Sequence, residues 1–180
     1  MDPVRRLEEI YQPYLSQVLK RDPDIVVFNS GLWDLMFWTR KYLTNNVDAA
    51  QVDVITPDRL DQYSQSLSRA LTAMDRIFPR SRIFWRTLPS TPVADAAWGL
   101  MDLQGYRANG RAQMFRNTYI DALNAISTRV IRKQHPNVQI LDWHKITHGD
   151  LGWEDDVHPN GDGYKAVANM WLYELAFPAS

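Results

Sequence analysis

The residues best suited to chemistry lie in one stretch near the end of the chain, WEDDVHPNGDGYKAVA. Asp155 lies three residues before His158, and a Pro-Asn turn follows the histidine. This spacing lets the carboxylate reach imidazole Nδ1, which fixes the tautomer and leaves Nε2 as a general base. Asp156 competes for the same role, because either neighbouring carboxylate can turn inward. The stretch predicts an oriented base, and a base needs a group to activate.

A second candidate stretch, DIVVFNSGLWDL, begins at Asp24. Asn29 can donate a side-chain N–H to a developing oxyanion, and backbone N–H groups after Ser30 can assist. Gly31 permits close backbone approach or a positive φ at the end of a strand. Ser30 lacks the Gly-x-Ser-x-Gly surroundings of a nucleophile elbow. We therefore interpret Ser30 as a hydroxyl that satisfies the turn backbone rather than as the nucleophile.

Arginine and tryptophan side chains supply candidate binding groups. Arg86, in FWRTLP, can bind an anionic or hydroxyl-rich substrate, or form a salt bridge with a neighbouring helix. Trp33, Trp38 and Trp85 either line an apolar acyl or sugar pocket or pack in the core.

A metal site is the other chemistry to consider. Imidazole and carboxylate groups can hold zinc, and several lie close together in sequence: His144, His148, Asp155, Asp156 and His158. His144 and His148 flank a predicted strand end rather than one helix face, so scattered loop histidines are the better interpretation. We expect no metal and no other cofactor.

Alternating strands and helices must position these residues. Apolar runs predict strands at 25–28, 82–89 and 138–143, and amphipathic periodicity predicts helices near 7–18, 32–43, 56–78, 112–134 and 161–177. This alternation indicates an α/β fold, with a parallel sheet of about three strands and helices on both faces. The carboxyl ends of parallel strands meet at one edge, so the two candidate stretches are expected to converge there.

Composition limits the classes of function. The 180 residues are 45% hydrophobic and 23% charged, which suits a single globular domain. A net charge of −1 gives no electrostatic footprint for nucleic acid, and no apolar run suits a membrane span. The chain has no cysteine, no apolar leader and no Asn-x-Ser/Thr sequon, which slightly favours a soluble, cytoplasmic location.

Two blocks together resemble a known superfamily. The pattern Asp-x-x-His-Pro-Asn-x-x-Gly-Tyr from Asp155 to Tyr164 resembles the last block of the SGNH/GDSL hydrolases. The Asn-Ser-x-x-Trp pattern that begins at Asn29, with the following IFWRTLPS strand, resembles the PC-esterase branch. The resemblance spans the chain from about Asp24 to Leu175.

This resemblance implies a flavodoxin-like α/β/α sandwich and a Ser–His–Asp triad that hydrolyses or transfers acyl groups. The substrate would be a small-molecule or polysaccharide acyl ester. His158 would be the base and Asp155 its orienting carboxylate. The residues that the resemblance assigns to the oxyanion and substrate wall are Asn29, Gly31 and Trp33.

The chain departs from the superfamily pattern in two places. The common Gly-x-Asn-Asp block reads Gly31-Leu32-Trp33-Asp34 here, which leaves Asn29 or the backbone as oxyanion donors. The chain also contains no Gly-Asp-Ser, the block that carries the family nucleophile. We therefore expect residues 1–180 to be the C-terminal portion of a single hydrolase domain. A module that kept the pocket and lost the serine, with a binding or regulatory role, is the alternative.

The missing block has a structural consequence. The run Ile25–Phe28 would become an edge strand without a charge, a proline or a bulge to protect it. Either the N-terminal helix, a partner chain or a rearranged strand order covers that edge, or it stays bare and favours self-association.

Overall fold

The computed structural model describes residues 3–18, 20–43, 55–90, 117–148 and 160–176. The strands are β1 (Ile25–Phe28), β2 (Arg82–Arg86) and β3 (Gln139–Leu141). The helices are α1 (Pro3–Arg6), a π-helical segment (Leu7–Tyr11), α2 (Gln12–Val18), α3 (Leu32–Leu43), α4 (Pro57–Ile77), α5 (Asn117–Gln134), α6 (Trp143–Thr147) and α7 (Gly161–Ala176). The predicted α/β class, with three strands and flanking helices, is confirmed.

The three strands form one parallel sheet in the order β1-β2-β3. The order advances in one direction, so successive right-handed crossovers place α4 and α5 on the same face. Side chains alternate along each strand. One face carries apolar residues that pack in the main core, namely Val26, Phe28, Ile83, Trp85 and Ile140. The opposite face carries Val27, Arg82, Phe84, Arg86 and Leu141.

Helix α4 begins and packs as its sequence predicts. The Thr56 hydroxyl accepts a hydrogen bond from Arg59 N–H at 3.4 Å, and Pro57 occupies the first turn. A continuous stripe then faces the sheet, and its buried members include Tyr63, Leu67, Leu71 and Met74. Helix α5 lies against α4 and buries Ile120, Leu123, Val130 and Ile131. These two helices and the apolar face of the sheet make up most of the core.

Strand β1 is the edge of the sheet in the part of the chain that the structure describes. This agrees with the expectation that the run Ile25–Phe28 becomes an edge strand. Val27 is 40% exposed, and the other three β1 residues are only partly buried. An edge strand has a neighbour on one side only, so its side chains keep part of their contact with solvent.

The N-terminal helix is apolar at helical spacing, yet most of that stripe is not buried. Leu7 joins the core, whereas Ile10, Tyr11, Tyr14 and Val18 are 47–61% exposed. The π-helical segment lies just before Pro13, which lacks the N–H that an α-helical bond would need. No helix in the described ranges has the length and apolar character to cross a membrane.

Candidate active site

The turn after β1 is fixed by a buried glycine. Gly31 has φ +126°, and its carbonyl accepts the first helical bond of α3 from Leu35 N–H at 2.9 Å. A Cβ at this position would lie 2.8 Å from Leu88 Cδ1 and 3.2 Å from Leu123 Cδ1. Only glycine fits both the backbone angle and the space. The sequence-based expectation of a positive φ here is confirmed.

A buried tyrosine of α4 holds the same turn by a hydrogen bond. Tyr63 is 4% exposed, and its hydroxyl donates to the Ser30 carbonyl oxygen at 3.0 Å. The same hydroxyl lies 3.0 Å from Ser127 Oγ, which donates to the Leu123 carbonyl at 2.7 Å. Burial raises the pKa of Tyr63 above its usual value, while the bonds with Ser127 and Ser30 act in the opposite direction. The phenol is therefore a neutral hydrogen-bond donor that holds Ser30.

Asp34 is the carboxylate that the structure brings to this turn. It is the third residue of α3, after the Gly31 cap, and such a position lets a carboxylate reach back to the cap N–H. Burial raises the pKa of Asp34, whereas hydrogen bonds from the backbone N–H groups of Asp34 and Gly31 lower it. Asp34 thus supplies a partly buried negative charge at the carboxyl edge of the sheet.

The predicted oxyanion residues occupy different environments. Asn29 and Ser30 are half-buried directly after β1, whereas Trp33 is 78% exposed on the first turn of α3. Trp85 is fully buried in the core. Trp38 is partly buried against that core, and the Arg59 guanidinium carbon lies 5.7 Å from the centroid of the Trp38 ring. Among the described residues, no histidine lies within hydrogen-bond distance of the Ser30 hydroxyl.

Arg86 lies at the carboxyl end of β2, on the sheet face opposite α4 and α5. Its guanidinium carbon is 4.8 Å from the centroid of the Trp143 ring, and Trp143 in turn contacts Trp171 of α7 at 5.6 Å between centroids. Burial lowers the pKa of Arg86, and the neighbouring Tyr164 partly offsets this shift. The predicted substrate-binding arginine is therefore at the expected edge, stacked on an indole.

A further polar cluster lies at this edge. Ser90 Oγ is 3.2 Å from His148 Nδ1 and 3.3 Å from the Asn117 side-chain oxygen. His144 Nε2 is 3.0 Å from Asp121 Oδ1, and the two imidazole centroids are 5.7 Å apart. The interpretation of His144 and His148 as scattered loop histidines is wrong, because both belong to α6 and its C-cap. Ser90, Asn117 and Asp121 come from two other segments, tens of residues away, so their approach to the histidines was not predicted.

Ser90 has the surroundings of a structural hydroxyl. It is 2% exposed, and its backbone N–H donates to Thr147 Oγ1 at 2.7 Å. These bonds join the end of β2 to α6. Within the described ranges, no three His, Asp or Glu side chains are arranged to hold a metal ion.

The predicted general base His158 and its orienting carboxylate Asp155 lie outside the described residues, as does Asp156. The structure describes the chain again from Asn160, which caps α7. Asn160 Oδ1 accepts hydrogen bonds from the backbone N–H groups of Asp162 and Gly163, both at 3.1 Å. The Asn160 carbonyl accepts from Tyr164 N–H at 2.9 Å. Asn160 of the sequence motif is thus the cap at the start of α7.

Comparison with known proteins identifies the family. The family model described as GDSL-like Lipase/Acylhydrolase matches residues 5–171, nearly the whole chain. The chain therefore belongs to the GDSL-like lipase/acylhydrolase family. It is similar to the human protein PC-esterase domain-containing protein 1B, with 25% identity over 178 residues that cover 94% of this chain and 36% of that relative. The predicted superfamily and its PC-esterase branch are confirmed.

Proposed function

We propose that this chain carries the base half of an acyl-ester hydrolase or O-acyltransferase site, with His158 as general base and Asp155 as the carboxylate that orients it. The observation that carries this proposal is the family match, which extends through the Asp-x-x-His block to residue 171. The nucleophile is a serine that a Gly-Asp-Ser block would supply, and this sequence does not contain one. Asn29 and the backbone at Gly31 donate to the oxyanion.

The cap of α7 supports this assignment. His158 lies two residues before Asn160 in the sequence, and Asn160 caps α7. The first turn of α7 carries Tyr164, which interacts electrostatically with Arg86 at the carboxyl end of β2. Parallel α/β sheets bind ligands at this edge.

Histidine variants test the assignment. In a form of the protein that hydrolyses p-nitrophenyl acetate, His158→Ala should lower kcat by roughly 10³-fold or more, because the serine loses its base. His144→Ala is the matched control, since His144 also has a carboxylate partner, Asp121, at 3.0 Å. His148→Ala removes the imidazole beside Ser90. Loss of activity with either control, and not with His158→Ala, would overturn the proposal.

The position of the nucleophile is tested by covalent labelling. A fluorophosphonate probe attaches to an activated serine, and mass spectrometry locates it. We expect no label at Ser30, whose carbonyl is tied to Tyr63, or at Ser90, which is 2% exposed. A label at either serine that disappears with its alanine variant would show that the nucleophile lies in this chain.

A binding or regulatory module is the second candidate function. The absence of Gly-Asp-Ser favours it, and so does Trp33 at the position where the wider superfamily has asparagine. A folded protein that binds esters without turnover and without labelling supports this candidate. Turnover that depends on His158 excludes it.

We also propose that two copies associate through β1. The outer side of this strand has no partner strand in the described part of the sheet, and Val27 is 40% exposed. A lysine blunts an exposed strand edge, so Val27→Lys should shift the protein toward monomer in sedimentation velocity. A wild-type protein that stays monomeric at all concentrations contradicts this proposal.

A further inference from the structure

Arg86 has no carboxylate partner among the described residues. Its planar guanidinium stacks on Trp143 at 4.8 Å, and Tyr164 of α7 lies beside it. In the described part of the chain, no carboxylate approaches the guanidinium within ion-pair distance. Burial of a charge is unfavourable unless hydrogen bonds or an opposite charge compensate it.

Arg82 provides an internal comparison. It lies on the same strand and the same face, at the opposite end of β2. Its guanidinium donates to the Leu175 carbonyl at 3.3 Å and to Gln139 Oε1 at 3.2 Å, and it covers the Phe84 ring at 5.0 Å. Arg82 therefore has acceptors within the protein, whereas no acceptor for the Arg86 guanidinium lies among the described residues.

Asp142, the acidic residue that follows β3, already accepts hydrogen bonds from other groups. Asp142 comes directly after β3, and its Oδ1 accepts from Lys145 N–H at 3.0 Å and from Thr87 Oγ1 at 3.4 Å. This carboxylate caps α6 and does not pair with Arg86. Arg86 is therefore left without a carboxylate partner in the described ranges.

We propose that Arg86 binds a carboxylate carried by the ester substrate, with Trp143 as its stacking platform. The inference rests on the proposed acyl-ester function and adds the substrate class, an ester with an anionic group in its acyl or alcohol portion. A guanidinium that stacks on an aromatic ring uses only its flat face. The N–H groups at its edge point outward in the guanidinium plane and can donate to a ligand. These groups form two parallel bonds to a carboxylate, a geometry that a neutral ester cannot use fully.

Binding is measured without turnover. Monomethyl succinate and methyl butyrate are esters of similar length that differ in a terminal carboxylate. Each is titrated against the full chain while heteronuclear NMR follows the indole N–H signals, and Trp143→Phe identifies the Trp143 signal. Monomethyl succinate should shift this signal, and methyl butyrate should not.

The two arginine variants decide the role of Arg86. Arg86→Gln should weaken monomethyl succinate binding about tenfold or more, the size of a lost charge-assisted bond pair. Arg82→Gln should leave it unchanged. The inference is overturned if no ester that carries a carboxylate in its acyl or alcohol portion binds, if methyl butyrate binds equally well, or if both variants have the same effect.

Hydrolysis separates this inference from the proposed function. In a form with turnover, mono(p-nitrophenyl) succinate should have a lower KM than p-nitrophenyl butyrate, and Arg86→Gln should remove the difference. Turnover with equal KM values would overturn the anionic substrate class and leave the esterase function standing. Carboxylate binding that depends on Arg86, with no turnover in any form, would support the anionic ligand class and overturn the esterase function.

One further probe, O-acetyl glucuronate, identifies the portion of the ester that carries the carboxylate. O-acetyl glucuronate carries the charge in its alcohol portion, whereas monomethyl succinate carries it in the acyl portion. Binding of only one of them, with the same dependence on Arg86, names the portion that faces the arginine.

Discussion

The two faces of the sheet are built for different purposes. One face packs against α4 and α5, and its residues Phe28, Trp85 and Ile140 join a continuous apolar core. The other face buries Phe84 and Leu141, and it also carries Val27, which is 40% exposed, and the two arginines of β2. The covered face accounts for most of the buried apolar surface, whereas the candidate binding groups lie on the other face and at the carboxyl edge. Stability and chemistry are therefore separable by mutation.

The largest effect is expected in the covered face. Trp85 is fully buried and its ring lies 5.5 Å from that of Phe28. Trp85→Ala should lower the free energy of unfolding by about 3–5 kcal/mol, since it removes a large side chain from a close-packed core. Urea denaturation measures the change.

Trp33 provides the matched control, because it is the same residue type with 78% exposure. Trp33→Ala should change stability by about 0.5 kcal/mol or less. If Trp85→Ala does not fold, Trp85→Phe keeps most of the packing and should still cost more than Trp33→Ala. Equal effects at both positions would show that the covered face is not where stability resides.

The second effect concerns the junction between the two regions. Gly31→Ala places a Cβ 2.8 Å from Leu88 Cδ1 on a backbone with φ +126°. The substitution should destabilise the protein by about 1–3 kcal/mol. Thermal unfolding of Gly161→Ala is the control, since a Cβ there has nothing within 4 Å, and helix propensity favours alanine by up to about 1 kcal/mol. A neutral Gly31→Ala would mean that this turn is free to move away from the core.

Local signals in the sequence were sufficient for the long helices and for the turn at Gly31. They missed the short helix α6, because the apolar run extended the predicted third strand to residue 143. The Thr56-Pro57 cap and the apolar stripe of α4 lie within one segment, so their pattern predicts both the start of the helix and its buried face. Gly31 follows an apolar strand, where a tight turn is expected.

Contacts between distant segments could not be predicted in the same way. Trp33 and Trp85 are the same residue type, yet one is exposed and the other buried, and only the packed structure separates them. The contact between Ser90 and His148 joins residues 58 positions apart. The stripe at Ile10, Tyr14 and Val18 predicts burial, but burial also needs a surface to pack against, which a periodic pattern does not reveal.

The smallest expected effect tests whether the buried charge of Asp34, at the carboxyl edge of the sheet, lowers the free energy of unfolding. Burial raises the pKa of Asp34 above its value in the unfolded chain, so the folded state favours the protonated form. The contribution of protonated Asp34 to the free energy of unfolding is fully present below the pKa of the unfolded chain. It is lost as the pH rises through the pKa of the folded state. Asp34→Asn does not titrate and can still accept the bond from Gly31 N–H. It should therefore raise the free energy of unfolding at about pH 7 by up to roughly 1 kcal/mol, with a gain that shrinks toward about pH 4.

Urea denaturation at the two pH values measures this change, and Asp162→Asn is the control. Asp162 is an exposed residue in the first turn of α7, where a negative charge interacts favourably with the helix dipole. Its replacement should not stabilise the protein at about pH 7. A gain from Asp34→Asn that is equal at both pH values would exclude the buried charge as its cause, because a packing change does not depend on protonation. A gain restricted to neutral pH would instead show that the turn after β1 holds its carboxylate at the expense of stability, in contrast to the uncharged core beneath it.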